Sequence, residues 1–174
     1  MTNKVPVFSK DIPNKQLIVV RDFDAPVNLV WKAWTESEIL DQWWGPKPWK
    51  AETKVMDFKV GGRWLYCMVG PNAEQHWCRV DFQAIKPQVS VASTSVFCDE
   101  EGHHNTAMPT MHWLQQFHSA AHGTTVTVVL NFDNEASMEN IITMGFQQGF
   151  TMGMSNLDEY LSRQRGPAVP LPAI

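Results

Sequence analysis

From Asn140 to Leu157 the chain carries no charged side chain, and within that stretch a glycine recurs at every fourth position: Gly145, Gly149 and Gly153. Ile142, Phe146, Phe150, Leu157 and Leu161 fall on one helical stripe, and Ile141, Met144, Met152 and Met154 widen it. Such spacing predicts one amphipathic helix from near Ser137 to about Arg165. At about 1.5 Å per residue it would span roughly 40 Å. Polar groups at Asn140, Thr143, Gln147, Gln148, Thr151, Ser155 and Asn156 interrupt the stretch, which would be costly in lipid. The expectation is therefore a buried helix of a soluble protein, with no membrane partner. Each interior glycine costs about 1 kcal/mol relative to alanine, so the three together cost roughly 3 kcal/mol. Close packing against sheet side chains, room for a ligand beneath the helix, or a small-xxx-small helix contact would each account for them. The neighbouring methionines, adaptable in shape, lean toward the ligand.

Upstream of this helix the pattern is strand, two short helices, then a run of strands. Gln16–Phe23 is β-branched and apolar, a strand pattern. Asp24-Ala25-Pro26 has the form of a helix start, and Val27, Val30, Trp31 and Trp34 follow at helical spacing. Thr35-Glu36-Ser37-Glu38 has capping-box form and predicts a second short helix, carrying Ile39, Leu40, Trp43 and Trp44 and stopped by Gly45-Pro46. From Trp49 the period becomes two. Trp64, Tyr66 and Met68 alternate with Leu65, Cys67 and Val69, so both faces of that strand should be covered. Cys78, Val80, Phe82 and Ala84 alternate with Arg79, Asp81 and Gln83. Val89–Cys98, Thr110–His118 and Thr124–Phe132 complete an antiparallel set, with Asp99–Pro109 as a polar loop. Residues 1–15 and the Gly166–Ile174 tail read as flexible ends around a single domain at 16–165.

Several of these segments, in this order, resemble the START-like (SRPBCC) helix-grip superfamily, in its heat-shock-chaperone ATPase activator homologue branch. The matching pieces are Asp24-Ala25-Pro26, Val30–Thr35, Trp43-Trp44-Gly45-Pro46, Asp57–Trp64 with its Gly61-Gly62 turn, Ile85-Lys86-Pro87, Phe97–Gly102 and the Gly145–Leu161 helix. The resemblance covers roughly residues 16–162. It implies an α+β fold in which a curved antiparallel sheet wraps a long C-terminal helix around an apolar cavity. Two departures stand out: Lys59-Val60 where the family often has Arg-Pro, and Ala84 where it often has Glu. The second removes a polar group that would face the cavity. Members of the superfamily include ligand carriers, aromatase and cyclase enzymes, resistance proteins and co-chaperones, so the resemblance implies the fold more sharply than the chemistry.

Composition excludes some classes. The chain has 174 residues, 44% hydrophobic, with eight Trp and a formal charge of −4. Its 14 Lys and Arg form no stripe, which argues against nucleic acid as a partner. Three widely spaced cysteines without a Cys-x-x-Cys pair, and no signal peptide at the N-terminus, point to reduced thiols in the cytoplasm. His118 and His122 lie at a hairpin, and His103-His104 lie in a loop; neither spacing suits zinc, so no metal or other cofactor is expected. No Gly-x-Ser-x-Gly and no phosphate loop is present.

The remaining candidates line the expected cavity. Trp64, Tyr66 and Met68 share one face, as do His76, Cys78, Val80 and Phe82, and Gly145, Gly149, Phe150 and Gly153 would face them from the helix. His112 shares parity with Thr110 and Leu114, opposite Met111, Trp113 and Phe117, and the pattern leaves open which set faces inward. Asp57 precedes the double-Gly turn, where bonding to turn backbone is its ordinary role. The function expected is binding of a small hydrophobic molecule, since such sites are mostly apolar with few polar anchors. An enzyme of cyclase, dehydratase or hydrolase type using the same cavity is one alternative. A chaperone-activator-like stress-response role through the outer surface is another. Trp43, Trp44 and Trp49 beside Pro46 and Pro48 would either cap the sheet or form a homodimer patch.

Overall fold

Alternation along each strand decides which side chains turn toward the helices. In the computed structural model, which describes residues 4–164, the strands are β1 (Val7–Asp11), β2 (Gln16–Phe23), β3 (Lys50–Met56), β4 (Arg63–Val69), β5 (Gln75–Lys86), β6 (Ser90–Cys98), β7 (Met111–Ala120) and β8 (Gly123–Asn131). Leu17, Val19, Arg21 and Phe23 of β2 are buried at every second position, as are Thr124, Val126, Val128 and Leu130 of β8. The strands form one antiparallel sheet in the order β1-β2-β8-β7-β6-β5-β4-β3. Strands β3 to β8 follow one another as a meander, and β2 closes against β8. This is an α+β helix-grip architecture: a curved sheet holding helices α1 (Val27–Thr35), α2 (Ser37–Trp43), α3 (Glu135–Thr143) and α4 (Phe146–Gln164). No helix among the described residues is long and apolar enough to cross a membrane.

The core lies between the sheet's inner face and the helices. Trp34 of α1, Trp43 of α2, Trp64 of β4, Trp113 of β7 and Leu157 and Leu161 of α4 belong to one buried cluster. Its aromatic rings meet mostly edge to face: Trp34 on Trp43 at 4.9 Å, on Trp44 at 6.1 Å and on Phe150 at 6.0 Å between centroids. The ring quadrupoles favour this geometry. Both faces of β4 are covered, as its double alternation predicts: Trp64 and Tyr66 on the inside, Leu65 and Cys67 on the outside. Outside, the loop after β6 folds back, and its Gly102 carbonyl accepts from the Arg79 guanidinium.

Four local features differ from the sequence expectation. Val7–Asp11, within the stretch read as a flexible end, is an edge strand on β2, with Val7 opposite Val20 and Asp11 opposite Gln16. Its mixed pattern carries no alternation signal because the strand is largely exposed. Pro26 is the N-cap of α1 rather than its first helical residue, and no side chain caps that end. The capping box before α2 is not made; Thr35 Oγ1 instead donates to the Trp31 carbonyl at 2.8 Å.

The fourth difference matters most for the site. The single long helix is two: α3 stops at Thr143, and α4 starts at Phe146. Gly145 between them has φ +92°, a conformation that a side chain makes costly. The apolar stripe runs through the break because both helices pack on the same core, so periodicity alone does not reveal the elbow. The expected α3 start at Ser137 moves to Glu135, with the Asn134 side chain accepting from the Ser137 amide. The tail Gly166–Ile174 lies outside the described residues.

Candidate functional site

Where α4 begins, the sheet and the helix stand apart. An apolar groove of about 490 Å³ opens there, between Met68, Phe97 and Met111 on the strands and Phe146, Gly149 and Phe150 on α4. Pro46 and Trp49, from the loop after α2, close one side. Beneath it is a second, inner cavity of about 50 Å³, and Trp44, Tyr66, Cys78, Phe97, Met111 and Trp113 line both spaces. At about 50 Å³ the inner space is far smaller than a small-molecule site and suits only water-sized groups. The groove falls within the roughly 300–1,000 Å³ of small-molecule sites. Tryptophan has filled the deep interior, and the space for a guest lies at the mouth.

The groove's polar points are few. Trp44 Nε1 donates to the Tyr66 hydroxyl at 3.0 Å. Cys78 is the cross-strand partner of Tyr66 and stands beside it. Burial, then the neighbouring thiol, holds the Tyr66 hydroxyl well above its ordinary pKa of 10. Burial pushes the Cys78 thiol up to about 12. Both groups are therefore protonated at neutral pH, which makes Tyr66 a hydrogen-bond group rather than a base and Cys78 a poor nucleophile. His76 sits at the rim, exposed, with its ring 5.3 Å from that of Trp49, and no hydrogen bond joins it to Tyr66.

Of the residues expected to line a cavity, Trp64, Tyr66, Cys78, Val80 and Phe82 lie on the inner wall, while Met68, His76, Gly149 and Phe150 lie on the groove. His112 lies on neither. Its Nδ1 is 3.2 Å from Thr94 Oγ1 and its Nε2 is 2.9 Å from Asp133 Oδ1, on the side of the sheet away from Trp113. The parity left open by the sequence is thus settled in favour of Met111, Trp113 and Phe117. Asp57 stays at its turn, where its carbonyl accepts from Lys59 and its side chain pairs with Lys59.

The glycines do not stand the helix off the strands. A Cβ at Gly153 would lie 3.5 Å from the carbonyl oxygens of Trp43 and Trp44, and one at Gly149 would lie 3.8 Å from Pro46. They let α4 approach the C-terminal end of α2, where Asn156 Nδ2 donates to the Gly45 carbonyl at 3.0 Å. Gly145 serves the elbow. Gly145 and Gly153 therefore lie outside the groove wall. Of the tryptophans expected to cap the sheet or form a patch, Trp43 is buried, and Trp44 and Trp49 are half-buried on the groove wall.

Sequence reading missed Trp34, Ser93, Ser95, Met111, Trp113 and Gln115 as lining residues. The apolar set Met111, Trp113 and Phe117 was the usable signal for β7. Ser93 and Ser95 sit among small polar residues on both faces of β6 and carry no such signal.

Comparison with known proteins agrees with this architecture. The sequence profile of the family described as Activator of Hsp90 ATPase homolog 1-like protein matches residues 24–162. A search of curated proteins returns no match. Among solved structures, a protein from Mycobacterium smegmatis is 25% identical over 89% of this chain and 95% of that one, with a TM-score of 0.83. A protein from Arthrobacter aurescens is 28% identical over 97% and 96% of the two chains, with a TM-score of 0.86. The AHSA1 protein from Silicibacter pomeroyi shares the fold at 18% identity over 86% and 99%, with a TM-score of 0.67. Domains of this fold commonly bind hydrophobic ligands. The profile match spans most of the chain, and this protein belongs to the Activator of Hsp90 ATPase homolog 1-like family.

Proposed function

We propose that this protein holds a small apolar molecule in the groove between β4–β7 and the first turns of α4, acting as a carrier in the cytoplasm. The supporting observation is the groove itself: about 490 Å³ walled by Met, Phe and Trp, with Tyr66 and His76 as its sparse polar points. Methionine adapts its shape, and aromatic rings offer large rigid contact, so the wall suits an uncharged guest. Cys67, Cys78 and Cys98 are free thiols, in keeping with a reducing compartment.

The enzyme alternative needs two ionisable groups converging on the guest. Tyr66 and Cys78 both hold their protons at neutral pH, and His76 is turned onto Trp49. That arrangement favours binding over catalysis.

Native mass spectrometry of the purified protein should show a bound small molecule, and the neutral fluorophore N-phenyl-1-naphthylamine should brighten on binding. Met111→Trp, which fills the groove, should weaken that binding at least ten-fold while leaving the fold intact by circular dichroism. Unchanged binding in the filled variant would remove the groove from the function. Stimulation of an Hsp90-type ATPase that survives Met111→Trp would move the function to the outer surface and to a chaperone partner.

A further inference from the structure

The inner cavity is small, but it is not lined like a packing defect. Voids left by imperfect packing in a core are apolar and dry. Here Ser93, Ser95 and Gln115 all turn inward from β6 and β7, in register with core residues: Ser93 opposite Trp113, Ser95 opposite Met111, and Gln115 opposite Val91. Ser93 is 4% exposed and Trp34 is 5% exposed. Trp43, Trp44, Trp64 and Trp113 each donate their indole N–H to a protein oxygen at 2.8–3.0 Å. Trp34, packed among them, has an Nε1 that is buried without a partner and sealed from the cavity. Neither the Ser93 hydroxyl nor the Gln115 carboxamide has a protein partner among the described residues. Ser95 Oγ accepts from Trp113 Nε1 and keeps its own proton to give.

A polar group entering the space can bond to these side chains, and each such bond contributes about 1 kcal/mol net. Three uncharged polar side chains, Ser93, Ser95 and Gln115, around a space of about 50 Å³ describe a receptor for one compact polar group. No Lys, Arg, Asp or Glu lines the space, so a charged group would be buried there without a counter-ion. The space adjoins the groove through the six residues that line both, with Tyr66 and Cys78 at the boundary.

We infer that the guest of the groove is amphipathic: an apolar body in the groove, and at its inner end a neutral oxygen, hydroxyl or carbonyl, that passes Tyr66 and enters the cavity bounded by Trp34, Ser93, Ser95 and Gln115. This rests on the groove being the binding site and adds the chemical class of what it binds. Gln115 and Ser93 are then specificity-determining residues.

The test is a titration of the full chain, followed by tryptophan fluorescence, with naphthalene, 2-naphthol and 2-naphthoate. Expected is binding of 2-naphthol about ten-fold tighter than naphthalene, the worth of about one net hydrogen bond, and binding of the anion weaker than either. Ser93→Ala and Gln115→Leu should each reduce the preference for 2-naphthol over naphthalene, and together erase it, with circular dichroism showing that the variants are folded. Equal affinities for naphthalene and 2-naphthol, or a preference that survives both substitutions, would overturn the inference and leave the groove reading standing, with the cavity a site for water only. Binding of none of the three probes would overturn both.

Discussion

Gly153 on α4 faces Trp43, the last residue of α2, with an added Cβ falling 3.5 Å from the Trp43 carbonyl oxygen. That distance is an ordinary van der Waals contact, so alanine fits where a longer side chain does not. The glycine ladder therefore divides by position. Gly149→Ala and Gly153→Ala should each stabilise the protein by up to about 1 kcal/mol through helix propensity. Gly145→Ala should cost about 1–2 kcal/mol, because Gly145 sits at φ +92°. Urea melts of the three variants check this. Equal effects at all three positions would mean that the elbow between α3 and α4 is not formed.

Asn156 completes the same junction. It is buried, and its amide donates to the Gly45 carbonyl, with the Trp43 carbonyl 3.4 Å away. Asn156→Ala should cost about 2 kcal/mol by stranding a buried carbonyl. Asn156→Asp keeps the shape but sets a carboxylate against two carbonyl oxygens, so it should cost more than alanine. The order of the two melting temperatures is the measurement.

Farther along α4, Arg21 of β2 donates from Nη1 to Asp158 Oδ1 at 2.8 Å, and its side chain is only 3% exposed. The guanidinium also lies 4.6 Å from the Phe23 ring, and its Nε has no partner. Asp158→Ala should cost about 3 kcal/mol because it leaves a buried cation uncompensated. The double variant Arg21→Met with Asp158→Leu should recover most of that loss. A double variant no better than Asp158→Ala would show that the pair contributes more than mutual neutralisation.

Alkaline pH should loosen the protein from the groove outward. The Cys78 pKa is held up to about 12, and that of Tyr66 well above 10, by burial. The unfolded chain releases those protons near 9 and 10, so it binds fewer protons than the native state above that range. Stability is whole below about pH 9 and falls as pH rises toward 12. Denaturation at pH 8 and pH 11 should show the decline, and Cys78→Ala should make it shallower. A decline unaltered by Cys78→Ala would place its source elsewhere.

The sequence by itself determined the sheet and the family. The apolar run of β2, the alternation of Cys78, Val80 and Phe82 in β5 and of Val126, Val128 and Leu130 in β8, and the turn glycines Gly61 and Gly62 mark the strands, and a one-residue slip would turn an apolar face outward. Local pattern also assigned Tyr66, Cys78 and Phe150 to the interior. Only the tertiary structure decided where space remains. Whether Trp34, Trp44, Trp64 and Trp113 close over the void that Ser93 and Gln115 line depends on how α1 and α2 sit on the sheet, and whether Gly149 and Gly153 face strands or the end of α2 depends on how α4 docks. That docking sums contacts between residues more than a hundred positions apart, such as Asn156 with Gly45 and Arg21 with Asp158. Periodicity records which face a residue takes along its own element, and volume is a property of several elements at once.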